Sequence, residues 1–100
     1  MTVLPQSMKQ LVITQPGEVA WQDAAIPTPK PDEVLVRVSG VSTCPHWDMH
    51  ILGGEPMFPG QELQYPYFPG QPGHEAVGVV MAVGEAVTTL EVGQPVVAWR

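Results

Sequence analysis

The 100-residue sequence contains no asparagine, so it offers no N-glycosylation acceptor, and its single cysteine, Cys44, excludes an intrachain disulfide framework. Basic residues are scarce. Lys9, Lys30, Arg37 and Arg100 are scattered through a chain of net charge -6. A nucleic-acid binder needs clustered Lys and Arg to neutralise phosphate, and an anionic membrane repels an acidic surface, so neither partner is expected. The longest apolar run, AVGVVMAVG at 76–84, is too short to span a bilayer. MTVLPQSMKQ holds no apolar stretch of signal-peptide length, and a cytoplasmic location is therefore expected.

Proline and glycine are abundant. Twelve prolines and ten glycines work against long helices, because proline removes a backbone donor and fixes φ. With 44% hydrophobic residues the chain can still build a core. Short strands joined by turns fit this composition, and a mainly β fold is expected.

MKQLVIT at 8–14 is apolar and β-branched, and Pro16-Gly17 closes it with a turn. EVAWQDA at 18–24 alternates, so the pair predicts a hairpin, with Trp21 assigned to the core along with Trp99. IPTPKPDE at 26–33 places prolines at alternate positions and reads as an extended surface connection. EVLVRVSG at 33–40 has a period of two, turning Val34, Val36 and Val38 to one face and Leu35, Arg37 and Ser39 to the other. PHWDMHIL then suits a short helix with Pro45 in its first turn and Thr43 as N-cap. From Gly53 to Gly73 turn formers and aromatics dominate, which predicts a long, packed loop. FPGQ at 58–61 and 68–71 is turn chemistry used twice. HEAVGVVMAV at 74–83 reads as a strand, and a turn follows at Gly84-Glu85. Since no turn or cap follows PVVAW, the domain is expected to continue past Arg100.

The chemistry-bearing residues fall in VSTCPHWDMHILGGEP at 41–56 and QPGHEAVGVV at 71–80. No G-x-S-x-G elbow surrounds Ser39 or Thr43, and no G-x-G-x-x-G or Walker loop occurs. Alone, His74 could be a hydrogen-bonded histidine at a strand start. The order of EVLVRV, the Cys/Asp/His cluster, GHEAVGVVMAVGEAV with Gly78 and Gly84 at their offsets, and VGQPVV is more specific. Over nearly the whole chain it resembles the N-terminal catalytic domain of the zinc-containing alcohol dehydrogenases, in the medium-chain dehydrogenase/reductase superfamily.

The resemblance implies an incomplete GroES-like β-barrel over residues 1–100, with a short helix after the Cys44 loop and a Rossmann α/β domain following in the parent chain. It implies hydride transfer between an alcohol or carbonyl substrate and NAD or NADP, with Zn2+ as Lewis acid on the alcohol oxygen. The parent is expected to be a homo-oligomer, and the 100 residues alone are expected to be inactive. His74 matches the histidine ligand and Glu75 the glutamate beside the metal, and a third ligand would lie beyond Arg100. Cys44 matches the cysteine ligand, although the family's C-x-x-D-x-H becomes one residue longer in CPHWDMH. Either a bulge returns the sulfur to the site or the thiolate is lost. A third account has His46, otherwise placed with the cofactor-binding residues, ligating instead. Asp48 matches an acid that braces the site and His50 a histidine that passes the alcohol proton to solvent. Trp47 falls where the family often has Ser or Thr, so it can wall a pocket but cannot relay a proton. Two other readings are a zinc-free quinone or enoyl reductase on the same barrel and a non-catalytic GroES-like binding module.

Overall fold

A computed structural model describes residues 4–42, 45–67 and 73–98. Thr43, Cys44, Phe68 and Trp99, each given a role above, lie outside the described residues.

The sequence begins its structure with the expected hairpin. β1 (Ser7–Gln15) and β2 (Glu18–Ala25) pair antiparallel with Leu11 opposite Trp21 and Ile13 opposite Val19. An irregularity between Ile13 and Gln15 carries the chain into the Pro16-Gly17 turn. The proline-rich 26–33 segment follows without strand or helix, as its missing backbone donors dictate. β3 (Val34–Ser42), β4 (Glu75–Val83) and β5 (Pro95–Ala98) then form a second antiparallel sheet in the order β3-β4-β5. Between β3 and β4 lie α1 (Pro45–Gly53) and the long aromatic loop. Neither sheet closes on itself among the described residues, which is the incomplete-barrel architecture expected.

Two expectations need correction. β3 does not keep a simple alternation, because register shifts interrupt its ladder to β4 between Leu35 and Val36 and between Val38 and Gly40. The extra residue at the first shift is Met81, on β4, and at the second it is Ser39, on β3 beyond Val38. Val38 is 53% exposed, whereas Val34, Leu35 and Val36 are all half-buried, so burial along β3 does not follow a period of two. Trp21 is not a core residue either; it is 69% exposed. α1 packs on β1, and among the described residues no element is packed on β2 to the same extent, so Trp21 stays exposed.

The long loop packs as its aromatics suggest. Ile13 of β1, Ile51 of α1 and Tyr67 of the loop form one buried cluster, with Trp47, Leu52, Leu63 and Tyr65 against it. Backbone bonds tie the same parts together: Gly17 N–H donates to the Leu52 carbonyl at 2.6 Å and Tyr67 N–H to the Ile13 carbonyl at 2.8 Å. On β4, Val80 is fully buried and Gly78 lies against the Arg37 backbone and Val36, where a Cβ would overlap both. That close approach is the physical reason for one glycine of the 73–87 signature. No helix among the described residues is long and apolar enough to cross a membrane.

Candidate metal and proton-transfer site

Gly73 delivers the chain to β4 at φ +102, a conformation that side-chain-bearing residues rarely adopt, and a Cβ there would stand 2.6 Å from Val41 Cγ1. The next residue is His74. Its side chain is 14% exposed, and its Nδ1 is buried with no hydrogen-bond partner among the described residues. Its Nε2 lies 3.8 Å from Glu75 Oε1, whose side chain is about half exposed. A buried ring nitrogen without a partner costs about 1–3 kcal/mol. A ligated metal removes that cost, because an imidazole nitrogen is a ready zinc donor. The donor set at 74–75 therefore fits a metal ion. Among the described residues no three of the His, Asp and Glu side chains gather into a complete metal site. Cys44, the further ligand expected within the chain, lies outside those residues.

α1 carries the remaining candidates. Its first turn holds Asp48, 7% exposed, where the positive end of the helix favours a carboxylate. His50 stands in the last turn and makes a 3.0 Å hydrogen bond between Nδ1 and the Glu55 carbonyl. A carbonyl only accepts, so Nδ1 carries the proton and the neutral ring keeps its lone pair on Nε2. His46, one helical turn earlier and exposed, places its ring centroid 5.1 Å from that of His50 with the planes tilted by 55°. Trp47 packs toward the Ile13–Ile51–Tyr67 cluster and has the Phe58 ring 6.2 Å away, so it is part of the helix's anchor.

The structure thus groups His46, Asp48 and His50 on one short helix and His74 with Glu75 at the start of β4. It also adds a residue that sequence reasoning missed. Tyr65 donates its hydroxyl to the carbonyl of Ile51, the residue after His50. Burial pushes the Tyr65 phenol above its ordinary value, and the neighbouring Tyr67 adds to the shift. The contact joins residues fourteen apart across an irregular loop, and no short motif encodes it. A cavity of about 630 Å³ lies elsewhere, between the hairpin and β3, lined by Met8, Ile26, Leu35, Val36 and Met81 among others. None of the site candidates borders it.

Comparison with known proteins agrees with this arrangement. Residues 30–100 match the family model described as the alcohol dehydrogenase GroES-like domain. An alcohol dehydrogenase from Cupriavidus necator is 38% identical over 92 residues, covering 91% of this chain and 22% of that protein. A short chain alcohol dehydrogenase from E. coli CFT073, solved with NADH, superposes with a TM-score of 0.72 at 35% identity, over 93% of this chain and 24% of its own. The cobalt- and zinc-bound thermostable alcohol dehydrogenase from Pyrobaculum aerophilum gives 0.69 at 32% identity, over 91% of this chain and 26% of its own. The chain therefore spans about a quarter of the length of these relatives. With its antiparallel sheets, its GHE-led β4 and this match over most of its residues, the chain belongs to the alcohol dehydrogenase GroES-like domain family of the medium-chain dehydrogenase/reductase oxidoreductases.

Proposed function

We propose that residues 1–100 form the N-terminal part of a zinc-dependent, NAD(P)-linked alcohol dehydrogenase whose cofactor domain follows in the parent chain. The observation that carries this reading is the buried Nδ1 of His74 at the head of β4, which has no hydrogen-bond partner among the described residues. Relatives solved with zinc and with NADH support the choice of metal and cofactor. Its substrate is a small alcohol or carbonyl compound, and its site is completed by a ligand beyond Arg100.

His74 and Glu75 would hold the metal together with Cys44. When bound, zinc supplies Lewis-acid polarisation that eases loss of the alcohol proton near neutral pH. The chain's own residues do the rest. Because the Glu55 carbonyl fixes the Nδ1 proton, His50 presents Nε2 as the acceptor that takes the alcohol proton toward solvent. Asp48 would brace the site from the first turn of α1, and exposed His46 would be among the residues that hold the cofactor. Trp47 does not relay protons, so the path to His50 runs without a hydroxyl at that position.

The one-residue longer spacing of CPHWDMH favours a second reading, a zinc-free reductase of the same superfamily. The full-length protein separates the two in one assay. NAD(P)-linked oxidation of primary and secondary alcohols should disappear on treatment with a chelator and return with Zn2+. Turnover of alcohols or quinones that is indifferent to the chelator would refute the zinc-dependent reading.

A further inference from the structure

The two imidazoles of α1 make a second metal-binding arrangement, separate in the chain from His74 and Glu75. His46 and His50 are four residues apart, which places them on one face of the helix. A helical H-x-x-x-H pair is a recognised two-nitrogen donor for zinc. With metal–nitrogen bonds of ~2.0–2.1 Å, each ring centroid lies ~3.2 Å from the ion, and a tetrahedral angle separates the centroids by ~5.2 Å. His46 and His50 stand 5.1 Å apart with planes tilted by 55°. The centroid separation thus matches that of a two-histidine chelate.

The second feature is orientation. Ligating histidines characteristically donate their other ring N–H to a carbonyl or carboxylate, which fixes the tautomer and raises the basicity of the donor nitrogen. His50 already has that partner, the Glu55 carbonyl at 3.0 Å. His46 is exposed, so an ion can reach the pair from solvent and complete its shell with water. We propose that His46 and His50 form a two-histidine site for a first-row divalent transition ion, with water in the remaining positions. Affinity should follow the order Cu2+ above Ni2+.

An ion there occupies the Nε2 lone pair of His50 and should slow the proton step. That consequence rests on the function proposed above, whereas binding itself does not.

The test is calorimetric titration of untagged, zinc-loaded full-length protein with Ni2+. The wild type should take up one more Ni2+ per chain than His46→Gln, with at least a tenfold loss of affinity at this site in the variant. Met49→Ala, which alters an exposed neighbour on the same helix, should keep the additional ion. His74→Ala should keep it too, even where catalytic zinc and activity are lost. Equal uptake and affinity in wild type and His46→Gln would overturn the site. Loss of the additional ion in His74→Ala would overturn it as well, since the ion would then belong to the His74 centre.

Discussion

The helix that carries three of the candidate residues is anchored through Ile51. It is 2% exposed and packs against Ile13 and Tyr67, joining α1 to the hairpin and the loop at once. Ile51→Ala strips about three buried carbons at ~0.8 kcal/mol each, or ~2.4 kcal/mol of transfer free energy. Flanked by a strand and an aromatic ring, the space left should collapse only in part, and the cavity raises the total to about 3–4 kcal/mol. Ile51→Val should cost about 1 kcal/mol. Met49 lies on the same helix but is 61% exposed, so Met49→Ala should cost less than about 0.5 kcal/mol. Urea unfolding of the full-length variants, read as midpoint shifts at constant slope, checks the series. An Ile51→Ala loss no larger than that of Met49→Ala would refute the anchoring argument.

Three other outcomes are expected from the same geometry. Tyr65→Phe removes the hydroxyl from the Ile51 carbonyl and should cost about 1–2 kcal/mol at neutral pH. Burial raises the folded-state pKa of Tyr65, so its contribution is complete below the unfolded value of about 10 and declines as pH rises through the folded value. The stability gap between wild type and Tyr65→Phe should accordingly narrow in alkaline unfolding experiments; a gap that widens contradicts the assignment. Gly73→Ala forces a side chain into φ +102 against Val41, at a cost of about 1–3 kcal/mol, and should loosen zinc at His74 by tenfold or more in chelator competition. Cys44→Ala should likewise weaken zinc retention in the full-length protein. Undiminished retention would remove Cys44 from the ligand set.

Local pattern made much of the fold legible. The Pro16-Gly17 turn between two β-prone runs announced the hairpin, and Pro45 marked the first residue of α1. Alternate prolines at 27, 29 and 31 correctly denied the connection any regular structure. Long-range geometry was less accessible. The β3 register depends on which residues of β4 it meets, so the two shifts in that ladder and the exposure of Val38 have no signature within EVLVRVSG. Trp21 illustrates the same limit: alternation says that a strand has faces, but only the surrounding layers decide which face is covered. In the site, Gly73, His74 and Glu75 stood out as the GHE that opens the family's signature, and the structure shows a close backbone approach at Gly73. Tyr65 stayed hidden because a hydroxyl that caps a helical carbonyl across a loop leaves no spacing to read.

The most direct test of the account is the zinc content of purified full-length protein and of its His74→Ala variant, measured by elemental analysis beside alcohol oxidation. The account predicts that the variant holds one zinc per chain fewer than the wild type and loses activity with it. Equal zinc in the two proteins, or wild-type turnover in protein free of zinc, would contradict the assignment of His74 as the ligand on which the chemistry depends.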